Sequence, residues 1–317
     1  MLKTCTIKSK KMSQGNSLKA VVVALFSNAF IALIKFIVAF ITTSAAMMAE
    51  AIHSTADCMN QIFLLIGSKR TKKVANEQHS FGYGKEEYFW GFIVATLLFF
   101  VGGGFSIYEG IHKLFVPEPI KNVMLSFIVL GIGIVLEFNS FRIAYNQFKI
   151  KNNSSFYKGL IEVTDTNLLV ILLEDFAALL GLIVVLITTI LAFTIAPIFD
   201  AIGSILVGAI LISIAYMLSN ELRKLIVGES IPREIRTDIK HICSQHNKIV
   251  KHVNKIQTMF IGREKFVLLI SLDVYDNILA YDVENIIEHI KLDIIKKYPN
   301  ASVIYIEVKD MIRNNKI

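Results

Sequence analysis

The sequence predicts an all-α membrane domain of six spans followed by a small α+β domain that lies in water. Three observations predict it. The chain is too apolar for an ordinary soluble protein, with 54% hydrophobic and 19% charged residues; soluble domains average about 45–50% apolar and 25% charged. The excess, which gives a mean hydropathy of +0.57, is concentrated before residue 220. After Gly228 the texture changes to the short alternating and helical patterns of a soluble fold. This composition excludes a disordered chain, a secreted disulfide scaffold and a plain cytosolic enzyme.

Six apolar stretches are long enough for about 30 Å of hydrocarbon: roughly 19–42, 45–67, 88–113, 122–147, 166–194 and 198–220. The first twenty residues are basic but carry no small-residue cleavage site, so the run behind them reads as a retained first helix. The second stretch carries His53 and Asp57, the fourth Glu137, and the fifth Glu174 and Asp175. The third opens on Tyr88 and Trp90, amphipathic rings suited to a membrane interface. Between spans two and three lie Lys69, Arg70, Lys72, Lys73 and Lys85, and the link between spans four and five is also basic. The remaining links are short and carry few positive charges. Basic loops face the cytoplasm, which places both termini inside. The net charge of +7 is therefore read as topology, and no nucleic-acid partner is expected. Cys5, Cys58 and Cys243 are far apart and form no metal knuckle.

In the tail, Ile235, Ile239 and Ile242 recur at helical spacing over 232–246, with Pro232 placed where a helix start tolerates it. Residues 253–260 and 265–273 read as two strands joined at Gly262. Residues 281–297 put Val283, Ile286, Ile287, Ile290 and Ile294 on one face, and 302–308 alternate as a last strand. The order is α-β-β-α-β. The chain thus divides into a basic segment 1–18, a transmembrane domain 19–228 and a cytoplasmic domain 229–317.

An ionisable side chain inside a membrane is costly and by default marks a pathway or a pairing. His53 and Asp57 sit at i, i+4, so both face the same way on one helix. An imidazole and a carboxylate one turn apart can hold a divalent cation, or bond a neighbouring helix. Asn60 shares that face and either orients a ligand or bridges to another helix. Glu174 and Asp175 are adjacent, so they point about 100° apart and cannot face one site equally well. Ala177, Ala178 and Gly181 predict close helix packing nearby. Glu137 is read as structural, Asp165 and Asp200 as span-end residues with water at hand, and Lys35 as snorkelling or paired with a carboxylate. His241, His246, His252 and His289 are read as a solvated surface of the tail. No nucleotide-binding loop and no His-Glu-x-x-His motif occurs, which argues against ATP as the energy source and against an intramembrane protease.

His53-x3-Asp57, Asp175 with Gly181, and the loop His79-Ser80-Phe81-Gly82-Tyr83-Gly84-Lys85, in this order and within this layout, resemble the cation diffusion facilitator family over about residues 19–309. The resemblance implies export of a divalent cation, chiefly zinc, in exchange for protons, by a homodimer in a lipid bilayer and with no prosthetic group. It implies His53, Asp57 and Asp175 as metal ligands and a ferredoxin-like tail that dimerises. The family's usual pattern has His or Asp four residues before the span-five Asp, where this chain has Ile171. The Glu174-Asp175 pair resembles a branch that also lacks that ligand, mitochondrial zinc carriers among it. The fourth position then falls to Glu174, to water, or to nothing in a three-coordinate site. Zinc suits mixed imidazole and carboxylate ligands, and iron, manganese and cobalt accept the same set. The expected location is a bacterial cytoplasmic membrane. From the residues alone, a membrane-anchored metal sensor or scaffold and a passive cation channel stay open.

Overall fold

The computed structural model describes residues 25–26, 28–116, 119–151, 166–262 and 265–310. The basic segment 1–18, the opening of the first span, residues 152–158 of the second basic link and Asp165 lie outside them. The chain forms two compact units. One is Met1–Gly67, Trp90–Leu160 and Asn167–Glu221; the other is Ser68–Phe89, Ile161–Thr166 and Leu222–Ile317.

The first unit is helical. Helix α1 is described over Asn28–Thr42, α2 is Ala45–Arg70, α4 Val123–Lys151, α5 Thr166–Thr194 and α6 Ile198–Val227. Helix α3, Glu86–Phe115, contains a π-helical stretch at Leu98–Gly104. Four of these, α3 to α6, are long and apolar enough to cross a membrane. The sequence predicts six spans, and the difference has a physical reason. Part of the first span lies outside the described residues. Helix α2 has the length, 26 residues, but Glu50, His53, Ser54, Asp57, Asn60 and Gln61 make it the most polar of the set. Those polar residues are not on its lipid side: Glu50, His53, Ser54 and Asn60 are all buried.

Helix α2 starts where its backbone donors find acceptors. Ser44 Oγ accepts from the Met47 N–H at 3.1 Å, and an Asp200 carboxylate oxygen accepts from the Ala45 N–H at 2.6 Å. Both satisfy donors that a helix start leaves open. Helices α3 and α6 meet through small residues. A β-carbon at Gly103 would sit 2.5 Å from Ile212 Cγ1 and 3.0 Å from the Gly208 carbonyl, and one at Gly208 would sit 2.8 Å from the Gly103 carbonyl. Ser204 Oγ donates to the Ser106 carbonyl across the same contact, at 2.7 Å. Removing both side chains lets two backbones approach in a setting where close packing is a main source of helix association.

In the second unit the helix α7 (Arg233–Ser244), strand β1 (Val250–Gly262), strand β2 (Lys265–Val274), helix α8 (Ala280–Lys297) and strand β3 (Ala301–Val308) follow in the predicted order. The sheet order is β1-β2-β3, with β1 antiparallel and β3 parallel to β2. The parallel pair needs a crossover, which α8 supplies. Ile239, Ile242, Ile290 and Ile294 from the two predicted helix stripes join Phe260, Phe266, Leu268 and Leu272 of the strands in one core. Cys243 is in that core, and burial pushes its thiol up to about 12, so it is an inert packing residue.

The loop after α2 belongs to this unit. His79 stacks on Tyr83 with ring centroids 4.3 Å apart, and Asn76 Nδ2 donates to Tyr83 Oη at 3.0 Å. Lys85 Nζ donates to the Ile226 carbonyl at 3.2 Å. Gly84 lies against the turn between β1 and β2. A β-carbon there would collide with the Ile261 carbonyl oxygen and stand 2.8 Å from Gly262 Cα. Two backbones touch at this point, and only glycine leaves room.

Candidate metal site

The site is built outward from α2. His53 is 1% exposed, and neither of its ring nitrogens has a hydrogen-bond partner among the described residues. Its Nδ1 stands 3.6 Å from Asp57 Oδ1, an oxygen equally without a partner. The separation is too long for a hydrogen bond. Buried polar atoms are nearly always satisfied, so this juxtaposition, like the unpartnered Glu50, Asn60 and Gln61 oxygens on the same helix, is an exception that asks for a reason. An imidazole and a carboxylate meet here with no hydrogen bond between them.

The two acids on α5 part company as the helical geometry requires. Glu174 turns to α2, where Asn60 Nδ2 donates to its Oε1 at 2.5 Å. Asp175 turns to α4, where Ser140 Oγ donates to its Oδ2 at 2.8 Å. Asn60 therefore bridges helices. Asp57, Asp175 and Glu137 each lie within electrostatic range of His53 and of Glu174. Even so, no group of three His, Cys, Asp or Glu residues among those described is gathered closely enough to hold a metal ion. The structure brings His53 and Asp57 together, and it leaves Glu174 and Asp175 on their own hydrogen bonds. Ile171 is 40% exposed.

Next to His53 lies Glu50, a carboxylate that sequence reading passes over. Lys35 on α1 reaches Glu50 Oε2 at 3.2 Å and Ser54 Oγ at 2.8 Å. Lys35 is 2% and Glu50 0% exposed. Lys35 therefore pairs with a carboxylate and does not snorkel. The other Glu50 oxygen has no partner and is 2.7 Å from where a β-carbon would stand on Gly181. Gly181 is thus the close-packing residue expected on α5, and what it admits is a carboxylate. The signal was present: Glu50 is three residues before His53 and shares its face.

Asp200 requires a correction. It was expected near water, yet it is 0% exposed. Lys113 Nζ lies 2.8 Å from it and also donates to the Thr43 carbonyl, while Ser44 Oγ donates to Asp200 at 2.5 Å. A span-end position in sequence does not guarantee solvent when three helices converge there. In the tail, His246 Nε2 lies 3.2 Å from Asp293 Oδ2, and His252 and His289 are exposed.

Residues 21–227 match the family model described as the cation efflux transmembrane domain. The chain belongs to the cation efflux family. The same stretch holds α1 to α6 and every site residue named above, and the chain is an integral membrane protein. It is 29% identical over 260 residues to a human protein named proton-coupled zinc antiporter SLC30A9, mitochondrial, covering 80% of this chain and 46% of that one. It is 29% identical over 229 residues to metal tolerance protein C4 of Arabidopsis thaliana, covering 71% and 50%. To magnetosome protein MamB of Magnetospira sp. (strain QH-2) it is 25% identical over 219 residues, covering 67% and 69%. The chain spans about half the length of the first two relatives. The unpartnered His53 and Asp57 atoms lie within the matched stretch.

Proposed function

We propose that this chain moves a divalent transition metal, zinc before iron, manganese or cobalt, out of the cytoplasm in exchange for protons. The observation that carries the reading is the buried His53–Asp57 pair, an imidazole and a carboxylate one turn apart whose facing atoms stand 3.6 Å from each other with no hydrogen-bond partner among the described residues. His53, Asp57 and Asp175 are the proposed ligands, with Glu174 as the fourth. Loading would draw Glu174 and Asp175 from Asn60 and Ser140 toward His53. The name of the human relative supports zinc as the cargo and proton coupling as the drive, and that of the plant relative supports a metal. The chemistry supports coupling independently. Metal ligands must be deprotonated to bind, so loading the site releases protons, and an imidazole with an intrinsic pKa of about 6.5 exchanges its proton near neutral pH. If the site opens alternately to two sides, metal leaves where protons are plentiful and protons leave where metal binds.

The working unit is proposed to be a homodimer in a bacterial cytoplasmic membrane, with the basic loop at 69–73 and both termini inside. The test is purified full-length protein in liposomes, offered zinc, iron, manganese and cobalt under an imposed pH gradient. Zinc movement that follows the gradient supports the reading. Metal binding without movement would make the chain a sensor or scaffold. Movement indifferent to the gradient would make it a channel.

A further inference from the structure

The C-terminal unit carries a groove of about 250 Å³ between α7 and β1, lined by Arg233, Arg236, Lys240 and Lys255 together with Thr237 and Asn254. Val253 and Ile256 complete its wall. No carboxylate lines it. Three other cations of this unit are matched: Lys297 lies 2.7 Å from Asp238, Lys291 2.8 Å from Glu288 and Lys251 3.5 Å from Asp273. The four groove cations form no ion pair among the described residues. The carboxylate of α7 that comes next after Arg236, Asp238, is held by Lys297 and by Tyr298, whose Oη donates at 2.6 Å. Glu234 lies in the first turn of α7 but does not line the groove.

Local geometry gathers these charges. Arg233, Arg236 and Lys240 follow one another at i, i+3 and i+7, which puts them along one helix face, where like charges disfavour the helix. The register of β1 shifts between Val253 and Lys255, and at such a bulge successive side chains no longer alternate strictly. That is how four consecutive strand residues reach the same groove. Within it, Arg236 Nε is buried and donates to nothing. A buried donor without an acceptor is costly, and three further cations around it define the sign of what would satisfy it.

We propose that this groove binds a multiply charged phosphate-bearing anion, with the Arg236 guanidinium making the oriented contact and Arg233, Lys240 and Lys255 supplying charge. A planar guanidinium matches phosphate oxygens in a way a lysine does not. Two sources offer this chemistry to a membrane protein: a soluble phosphate compound and an anionic phospholipid headgroup.

The test uses the full-length protein. One arm titrates inorganic tripolyphosphate into protein in neutral detergent by calorimetry. The other compares binding to vesicles of phosphatidylcholine alone and with phosphatidic acid added, whose phosphomonoester headgroup can carry two charges, after reconstitution is blocked by keeping the protein in nanodiscs of phosphatidylcholine. Saturable binding in either arm is expected, and the arm that responds names the source. Arg236→Gln is expected to weaken it about tenfold or more, the loss of one charge-assisted hydrogen bond. Lys240→Gln with Lys255→Gln, both on exposed side chains, keeps the test open if Arg236→Gln does not fold, and is expected to weaken binding and flatten its salt dependence. Lys296→Gln, outside the groove, is expected to change nothing. Absence of saturable binding in both arms, or binding that survives the groove variants undiminished, overturns the proposal.

Discussion

Among the membrane helices, Lys35 is matched to Glu50 and Ser54, Lys113 to Asp200, Asn60 to Glu174 and Ser140 to Asp175. On the C-terminal domain Arg233, Arg236, Lys240 and Lys255 crowd one groove with no carboxylate among them. The two regions follow different rules because their surroundings differ. Out of water, an ionised group without a partner costs several kcal/mol, so partners are found across helices. Among the atoms left unpaired there, the facing imidazole and carboxylate of His53 and Asp57 are informative even as a single contact. In water an unpaired lysine costs little, and one such residue says nothing. There the information lies in grouping, and in a groove donor, Arg236 Nε, that is withdrawn from water.

The comparison breaks most readily at His53. His53→Ala or Asp57→Ala should weaken zinc binding by more than the roughly 10–100-fold that loss of a supporting partner costs a metal site, with insertion into the membrane unchanged. Competition against a chromophoric chelator measures this. A His53→Ala protein that binds zinc as tightly as the parent would show that the unpaired atoms in α2 mark nothing.

The buried pair sharpens it. Lys35→Met leaves Glu50 uncompensated and should cost about 3–5 kcal/mol of stability, whereas Lys35→Met with Glu50→Gln should recover most of that loss. Thermal unfolding of the full chain in detergent gives the order. Equal destabilisation by the single and the double substitution would show that Lys35 acts by packing alone.

Gly84→Ala is a smaller disturbance. Its methyl group meets the Ile261 carbonyl, an overpacking worth about 1–3 kcal/mol. Proteolysis of the loop around His79 should become faster in that variant. An unchanged digestion rate would mean that the loop yields without cost.

The smallest effect is expected at Asp238. Hydrogen bonds from Lys297 and Tyr298 hold its carboxyl below the usual carboxylate range. A group with a depressed folded pKa contributes stability that is present above the unfolded value and lost as pH falls through the folded one. The parent should therefore lose stability below about pH 4 more steeply than Asp238→Asn. Identical acid profiles would remove Asp238 from the account.

The sequence made the elements legible where the pattern is local. The stripe of Ile239 and Ile242, the alternation after Ala301 and the start of α2 behind Ser44 all depend on neighbours a few residues away, and the structure has them within a few residues of their expected places. His53 and Asp57 were legible for the same reason, being one turn apart on one helix. What lay beyond reach was which neighbour each face meets. Glu174 and Asp175 are adjacent in sequence but bond α2 and α4 respectively. Asp200 is buried by contacts from residues 156 and 87 positions away. Gly84 and Gly262 announce turns, but nothing in their own segments says that they touch.

The central claim is that the buried pair in α2 loads a metal at the expense of protons. Calorimetry of zinc binding to the full-length protein near pH 7, repeated in buffers of different ionisation enthalpy, counts the protons released per zinc. The account predicts that protons leave with each zinc bound in the parent, and that neither zinc binding nor proton release survives in His53→Ala. Tight zinc binding with no proton release, or release undiminished in His53→Ala, would contradict it.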